Sequence, residues 1–588
     1  MISRSLRPVC GFLLVVLLLV SCINQGSKHL SIVETTDIHG VILPYDYVEK
    51  EELNVSLASS FTYIKQLRKE KDAVVLLDNG DNLQGQPAVY YYNLVDTVSP
   101  HLLAEAMNYM EYDAVTVGNH DIETGHQVYD RLVKEYNFPL LAANAVNLAT
   151  GKPYFKPYAI IKKSRLKIAV LGLVTPTIHN SLPKELYKGI EFRNMYETAK
   201  EWMPEIIKEK PDLIIGLFHT GWDNPKSDSY QPDTRPDEGS AEIAFNIPGF
   251  DIIFTGHDHR IANEKIVNIS GDTVLILNGG SRSMNLAKAD VTFERDKKGK
   301  FKKAVNGIII KVADHKPDAG FIEKFNDNHN EVLSYVNEVL GSSSNTISSR
   351  DSYFGSSGFI DMMHSLQLDI TGADISFAAP LSFDVKISEG PVTVGDMFKL
   401  YRFENMLYTM SMSGLEVEKY LEYSYAGWFN TVNGPDDYLL KLRTDNEGKL
   451  ILTDGKAWLK NQAYNFDSAA GINYIVDVTK PEGSRITITG FSDGTLFEKN
   501  KIYKVAVNSY RGNGGGGHFY NGVGIDKNEL MSRVMESTER DLRYYMIEKI
   551  RNKKTIDPLK LNNWKIIPEA VVNEVFEREY KLLFGEKK

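Results

Sequence analysis

The chain has 588 residues, which is too long for one hydrophobic core, so two or more domains are expected. Hydrophobic residues make up 43% and charged residues 24%, a balance typical of ordinary globular proteins. The formal net charge of -10 argues against a protein that grips a nucleic-acid polymer, because such proteins carry a basic surface. A small anionic substrate remains compatible with this charge if metal ions supply local positive charge.

Residues 1–22 have the features of an export signal. Arg4 and Arg7 form a basic start, and residues 12–20 form an apolar run too short to span a bilayer comfortably. The run leads into a small residue and Cys22, which resemble the bacterial lipobox, whose cysteine is lipidated. We therefore expect an exported lipoprotein, in the periplasm or at the cell surface, held to the membrane through Cys22. An ordinary signal peptide with an incidental cysteine is the alternative. Since Cys10 is the only other cysteine, no disulfide is expected in the mature chain.

Short apolar runs that alternate with helical stretches predict an α/β layered domain over residues 23–315. Near-continuous apolar runs of this length are typical of strands buried on both faces. The predicted strands are 31–33, 74–77, 114–117, 168–171, 213–215, 251–254 and 274–277. The predicted helices between them include 56–71, 102–110 and 195–210.

Five of these runs lead into residues that commonly bind metals. The clusters are Asp37-Ile38-His39, Gly80-Asp81, Gly118-Asn119-His120-Asp121, His219 and Gly256-His257-Asp258-His259. Each cluster alone is weak, because Asp-x-His is often a surface accident and Gly-Asp is usually a turn. Their succession indicates a site, since strand ends at one edge of a sheet converge in space. Asp, Asn and His suit a pair of divalent metals, and the carboxylate of Asp81 is the natural bridge between them.

The pattern changes near residue 315. Residues 317–340 carry apolar side chains at roughly helical spacing, and a Gly-Ser stretch follows. We predict a linking helix over 316–344 and a second, α+β domain over 345–588. Alternating segments at 472–478 and 501–507 predict strands in that domain, and the tail after Glu529 is predicted to be mostly helical.

The ordered series of clusters resembles the calcineurin-like metallophosphoesterases. The resemblance implies a four-layer domain, with helices around a two-sheet sandwich, and two divalent ions such as Mn, Zn, Co, Fe or Mg. It implies a first metal held by Asp37, His39, Asp81 and His259, and a second held by Asp81, Asn119, His219 and His257.

The same resemblance gives His120 a role other than metal binding. His120 would stabilise charge on the phosphate or protonate the leaving oxygen. A catalytic histidine usually needs a carboxylate to orient it, and both Asp121 and Glu123 are candidates. Secreted nucleotidases of this superfamily place the partner at the position of Glu123, whereas Asp121 is also explained as a cap of the turn.

The second domain resembles the C-terminal domain of the 5′-nucleotidase and 2′,3′-cyclic-nucleotide phosphodiesterase family. From the residues alone, Phe466 and Tyr510 are better explained as core residues than as ligand contacts. The glycine-rich loop after Tyr510 lacks the ending of a P-loop, so we interpret it as a backbone platform that carries Tyr510 towards a ligand. The resemblance implies that both rings sandwich a nucleobase. Residues 376–381 are similar to the cyclic-phosphodiesterase/3′-nucleotidase branch and lack the Asn-x-Gly-x-x-Arg segment of the 5′-nucleotidase branch.

We therefore expect a metal-dependent enzyme that opens 2′,3′-cyclic nucleotides and hydrolyses 3′-nucleotides, scavenging nucleoside and phosphate outside the cytoplasm. A 5′-nucleotidase or nucleotide-sugar hydrolase on the same scaffold is the first alternative. A non-catalytic surface binding protein is the second, and a polymer nuclease is disfavoured by the acidic charge. We further hypothesise that the second domain rotates about residues 316–344 to carry substrate to the metals.

Overall fold

The computed structural model describes residues 28–226, 239–295, 301–434 and 436–585. The predicted signal segment, with Cys22, lies outside these residues. None of the helices in the described part of the chain combines the length and apolar character that crossing a bilayer requires.

Two six-stranded sheets form the centre of the N-terminal half. The first contains, in spatial order, Phe301–Lys311, Asn285–Arg295, Lys28–Thr35, Val74–Asp78, Ala114–Thr116 and Leu140–Leu141. The second contains Ile261–Val267, Thr273–Gly279, Ile252–Thr255, Leu213–His219, Leu166–Val174 and Tyr158–Lys163. All seven predicted strands are confirmed. The strands that precede the predicted ligands pair in parallel with their neighbours, so their carboxyl ends lie at one edge.

The N-terminal half has four layers, as the family resemblance implied. Apolar side chains of the two sheets pack face to face and form one buried cluster. Helices Leu57–Glu70, Leu102–Met110 and His126–Glu135 cover the outer face of the first sheet. Helices Met195–Lys208 and Ser240–Asn246 cover the second. Both sheets are therefore buried on both faces, which explains why their strands are nearly continuous apolar runs.

The linking segment differs from the predicted single helix over 316–344. It forms two helices, Ala319–Lys324 and Asn326–Asn337, followed by the strand Val339–Ser343. Phe321, Phe325, Val332 and Val336 are buried in the same cluster as the helices of the first sheet. The strand instead pairs with strands of the second domain. The second domain therefore begins near residue 338 rather than 345, and the linking helices belong to the N-terminal core, which argues against hinge motion within them.

The C-terminal half is an α+β domain, as predicted. Its largest sheet contains Ser468–Ala470, Ile375–Ala378, Ile502–Asn508, Leu407–Ser413 and Val534–Ser537. One three-stranded sheet contains Gly390–Thr393, Val339–Ser343 and Thr555–Ile556. A second three-stranded sheet contains Ile486–Phe491, Ile472–Asp477 and Trp564–Ile567. The longer helices are Gly358–Thr371, Val394–Leu400, Gly414–Trp428, Leu542–Lys553 and Glu569–Phe584. The tail therefore contributes three strands as well as the predicted helices.

We expect Phe321→Ala to lower the free energy of unfolding by about 3–5 kcal/mol, because it removes a fully buried aromatic ring from the core. The Phe321 ring centroid lies 6.0 Å from that of Phe61 and 4.7 Å from that of Phe325. Chemical denaturation measures the change. Glu323→Ala, at an exposed position of the same helix, is the control. Equal midpoints for the two variants would show that the linking helices do not stabilise the N-terminal core.

Candidate active site

Two groups of metal-ligand side chains lie at the carboxyl edge of the two sheets. The groups are Asp37, His39 and His259, and Asp81, His219 and His257, with the ligand atoms of each group within 4.8 Å of one another. In the first group, Nε2 of His259 is 3.0 Å from Nε2 of His39 and 3.3 Å from Oδ1 of Asp37. In the second, Nε2 of His219 is 3.2 Å from Oδ2 of Asp81. These six predicted ligands therefore come together from four separate strand ends.

Asn119 completes the second group. Its Oδ1 atom lies 3.2 Å from Nε2 of His219, so an amide oxygen, a carboxylate and imidazoles meet at one point. The bridging role of Asp81 between the two groups remains a prediction.

Hydrogen bonds to backbone carbonyls orient two of the histidines. Nδ1 of His39 is 2.9 Å from the carbonyl oxygen of Gln84, and Nδ1 of His219 is 2.5 Å from that of Asn79. A carbonyl oxygen can only accept a hydrogen bond, so Nδ1 is the donor and the Nε2 lone pair can face the site in the neutral ring. Burial lowers the pKa of His39 to about 4, which keeps this ring neutral. Converging imidazole lone pairs and carboxylates fit two divalent cations.

Five of the ligands adopt a left-handed backbone conformation. The φ angles are 49° at Asp37, 49° at His39, 58° at Asp81, 68° at His257 and 60° at His259. Residues other than glycine rarely adopt such angles, and each costs about 1–3 kcal/mol. Strain of this kind persists only where the surrounding structure enforces it, so the ligand loops are held in place by their neighbours.

The Asp121 carboxylate holds the Asp81 turn. It accepts hydrogen bonds from the backbone N–H groups of Gly118 at 2.8 Å, Asp81 at 3.0 Å, Asn82 at 2.9 Å and Leu83 at 3.1 Å. A Cβ atom on Gly118 would lie 2.2 Å from Oδ1 of Asp81, so only glycine fits there. Asp121 therefore caps the turn, and it does not orient His120.

Glu123 is the carboxylate in contact with His120. Its Oε2 atom lies 2.5 Å from Nδ1 of His120, which leaves Nε2 available to a substrate. Burial lowers the pKa of His120, but Asp81 and Glu123 outweigh it and raise the pKa to about 10. The ring is therefore positively charged at neutral pH and can stabilise negative charge on a phosphate.

Protons and metal ions compete for the second group. Burial lowers the pKa of His219, but the negative charges of Asp81 and Asp37 outweigh the effect of burial and raise this pKa to about 10. Burial raises the pKa of Asp81, but His219 and His120 lower it well below its usual value. Because a ligand must lose its proton to bind a cation, metal binding here releases protons.

A cavity of about 570 Å³ connects the ligands with the second domain. From the N-terminal half it is lined by residues that include His39, His120, Glu123, His259 and Arg282. From the C-terminal half it is lined by residues that include Arg402, Phe403, Glu404, Asn405, Tyr464, Asn508 and Tyr510. A ligand in this cavity therefore contacts both domains at once.

Tyr510 lines the cavity as predicted, but Phe466 does not. The Tyr510 side chain is 39% exposed, and a Cβ atom on Gly515 would lie 2.5 Å from its ring, so the glycine-rich loop packs directly against it. Phe466 is 1% exposed and stacks on Trp428 in the core, with ring centroids 5.0 Å apart. The prediction that Phe466 contacts a nucleobase is therefore wrong for this arrangement.

Two aromatic residues that sequence reasoning missed line the cavity instead. Phe403 is 37% exposed, and the ring centroid of Tyr464 lies 6.0 Å from those of both Phe403 and Tyr510. Tyr464 lies two residues before Phe466, the residue to which the family resemblance pointed. Phe403 lies in an irregular segment with no periodic signal.

The C-terminal tail holds the segment that carries Phe403. Nε of Arg543 donates to the carbonyl of Tyr401 at 2.9 Å, and Nη2 donates to that of Arg402 at 3.0 Å. The backbone N–H of Leu542 donates to the carbonyl of Asn405 at 3.0 Å. The guanidinium of Arg543 also lies 4.0 Å from the ring centroid of Phe398. One wall of the cavity is therefore fixed by residues at the far end of the chain.

Comparison with known families agrees with this division. Residues 30–261 match the calcineurin-like phosphoesterases, and residues 338–522 match the 5′-nucleotidase C-terminal domain. The second match begins where the structure places the start of the second domain.

The chain is similar to several characterised proteins. It is 27% identical to the trifunctional nucleotide phosphoesterase protein YfkN of Bacillus subtilis over 93% of this chain, but it spans only 40% of that relative. It is 26% identical to the 2′,3′-cyclic-nucleotide 2′-phosphodiesterase/3′-nucleotidase of Haemophilus influenzae, over 93% of this chain and 88% of the relative. It is 29% identical to a 5′-nucleotidase of Vibrio cholerae, over 67% of this chain and 75% of the relative.

Solved structures show the same fold. A Staphylococcus aureus protein superposes with a TM-score of 0.72 at 21% identity, covering 92% of this chain and 100% of the other. The NAD nucleotidase of Haemophilus influenzae superposes with a TM-score of 0.53 at 18% identity, covering 92% of this chain and 99% of the other.

We expect His39→Ala to lower the number of bound divalent ions from about two per chain to about one, because it removes one ligand of the first group only. Elemental analysis after equilibrium dialysis against Mn²⁺ or Zn²⁺ measures the ratio. His126→Ala is the control, because His126 pairs with Asp130 outside the two groups. If His39→Ala retained both ions, the assignment of the first group would be incorrect.

Proposed function

Because residues 30–261 are a calcineurin-like phosphoesterase domain and residues 338–522 a 5′-nucleotidase C-terminal domain, we propose that this metallophosphoesterase hydrolyses nucleotides. The preferred substrates are proposed to be 2′,3′-cyclic nucleotides and 3′-nucleotides, with nucleoside and phosphate as the final products.

One observation carries the proposal: His39 and His259 of the first metal-ligand group, His120 and three aromatic side chains line one cavity. The phosphate of a substrate would lie near His39, His259 and His120. The base would lie among Phe403, Tyr464 and Tyr510, because aromatic rings stack on any nucleobase. A relative that is named as a 2′,3′-cyclic-nucleotide 2′-phosphodiesterase/3′-nucleotidase aligns over most of both chains, which supports cyclic nucleotides and 3′-nucleotides as the preferred substrates.

Each group in the site has a distinct task. When bound, a pair of divalent cations supplies positive charge that stabilises the attacking and leaving oxygens of phosphoryl transfer. Glu123 holds Nδ1 of His120 and thereby fixes the ring. His120 presents Nε2 to the phosphate, where it stabilises negative charge and donates a proton to the leaving oxygen.

A 5′-nucleotidase is the second candidate. Arg282 and Arg402 line the same cavity, and guanidinium groups bind phosphate well. The side chain of Arg282 is 52% exposed, so it is accessible to a ligand. Relatives named as 5′-nucleotidases align over a smaller share of this chain.

The place of action is proposed to be outside the cytoplasm. Residues 1–22 resemble a lipoprotein signal, and Cys22 would carry the lipid that holds the protein at the membrane. Metabolic labelling with a palmitate analogue, compared with Cys22→Ser, tests this assignment.

We expect the purified protein with Mn²⁺ to hydrolyse 2′,3′-cyclic AMP and 3′-AMP with a kcat/KM about tenfold or more above that for 5′-AMP. Released phosphate and adenosine are measured side by side. Asp81→Ala, which removes the predicted bridging ligand, is the blank. Preference for 5′-AMP would favour the second candidate, and no hydrolysis above the blank would refute nucleotide hydrolysis.

We expect Glu123→Gln to lower kcat about 100-fold with little change in KM, because the charge that orients and stabilises the His120 ring is lost. Steady-state kinetics on the preferred substrate measures the change. Asp130→Asn is a matched control, since Asp130 contacts His126 in a similar carboxylate–histidine pair outside the cavity. Equal kcat values for Glu123→Gln and the control would remove Glu123 from the mechanism.

A further inference from the structure

Glu404 occupies a distinctive place in the cavity wall. It follows Phe403 directly in the chain, and its side chain lines both the main cavity and a smaller adjoining cavity of about 50 Å³. Glu123, which contacts His120, lines the same two cavities. Glu404 is therefore close to Glu123, at the proposed phosphate end of the site, and to Phe403, at the proposed base end.

The carboxyl group of Glu404 is almost fully buried, and the one cation in salt-bridge range of it among the described residues is too distant for a hydrogen bond. The residue is 8% exposed, and its Oε1 atom is enclosed by protein and makes no hydrogen bond within the described part of the chain, which leaves Oε2 as the carboxyl oxygen that a ligand could reach. The nearby cation is Arg543, whose Nη1 is 3.6 Å from Oε1, too far for a hydrogen bond. Nε and Nη2 of Arg543 are already used by the carbonyls of Tyr401 and Arg402. Burying a carboxyl group is costly unless its oxygens are satisfied, so a hydrogen bond between Oε2 and a ligand would lower this cost.

The surroundings also decide the protonation state of this carboxyl. Burial is the main cause that raises the pKa of Glu404 to about 8, and Asp541 adds to it, whereas Arg543 and His120 oppose it. A protonated carboxyl has one donor and an acceptor oxygen, as a hydroxyl has. It is therefore suited to a neutral hydroxyl partner rather than to a phosphate.

We infer that Glu404 is a specificity-determining residue that hydrogen-bonds a sugar hydroxyl of the bound nucleotide. This inference rests on the proposed function, because that function places a nucleotide in the cavity. The sugar joins the phosphate to the base, so it must pass the part of the wall that Glu404 forms. A site whose buried polar group binds a hydroxyl discriminates against analogues that lack it, since the group is then left unpaired.

The test compares adenosine 3′-monophosphate with its 2′-deoxy and 5′-deoxy analogues. We expect the wild-type protein to prefer the parent over one of the two analogues by about tenfold or more in kcat/KM. Glu404→Leu should reduce that ratio to about one, because it removes the partner of the hydroxyl. Glu404→Gln should retain part of the ratio, because an amide also donates and accepts hydrogen bonds.

Glu422 provides a matched control. It is 9% exposed, its Oε1 accepts from the backbone N–H of Ile486 at 2.7 Å, and its Oε2 makes no hydrogen bond among the described residues. It does not line either of the two cavities. Glu422→Leu should therefore lower the melting temperature without changing the ratio, whereas a purely structural role for Glu404 would lower kcat/KM for all three substrates equally.

A binding measurement separates this inference from the proposed function. Calorimetry gives Kd values of wild-type and Glu404→Leu proteins for adenosine, 2′-deoxyadenosine and 5′-deoxyadenosine, without any chemical step. A hydroxyl preference that Glu404→Leu abolishes supports the inference even if 3′-nucleotides are not hydrolysed. The same preference in both proteins, or no adenosine binding at all, overturns it.

Discussion

The metal-ligand site depends on one buried carboxylate that is not itself a ligand. The side chain of Asp121 accepts four backbone hydrogen bonds and joins the turn after Val74–Asp78 to the turn after Ala114–Thr116. Amide donors to a carboxylate are among the stronger hydrogen bonds in proteins, and they offset part of the cost of burying the Asp121 charge, although burial and Asp81 still raise the pKa of this carboxyl. The positions of Asp81 and Asn119 follow from this contact, because each lies on one of the two joined turns.

This arrangement explains how loops hold a site of fixed geometry. Five ligands have backbone angles that residues other than glycine normally avoid, so the loops would relax if they were free. Backbone hydrogen bonds prevent it: the N–H of His39 donates to the carbonyl of Asp81, and the N–H of Asp37 donates to that of Gly80. The two mixed sheets, whose central strands are parallel, supply a rigid base, and the loops are bound to each other above it.

The sequence was sufficient for the first domain and only partly sufficient for the second. The ligands were predictable because each follows an apolar run, and parallel strands bring such positions to one edge. The sequence could not show which of Tyr464 and Phe466 faces the cavity. Tyr464 lies in the 3₁₀ turn Ala463–Asn465 and Phe466 directly follows it, and successive side chains of such a turn point in different directions. Phe403 gave no signal, because it lies outside any helix or strand. The break in the linking helix at Phe325 was hidden because the apolar spacing continues across it.

The contact between Arg543 and the cavity wall has a consequence for the order in which the protein is made. During synthesis, domains fold as units from the N-terminus. All the metal-ligand residues and His120 precede residue 260, whereas the arginine that fastens the segment around Phe403 is added almost three hundred residues later. The groups proposed to act on the phosphate can therefore assemble with the N-terminal domain before the wall proposed to select the nucleoside is fixed. A chain truncated before Arg543 would thus keep these groups but lack the contacts that fasten that wall.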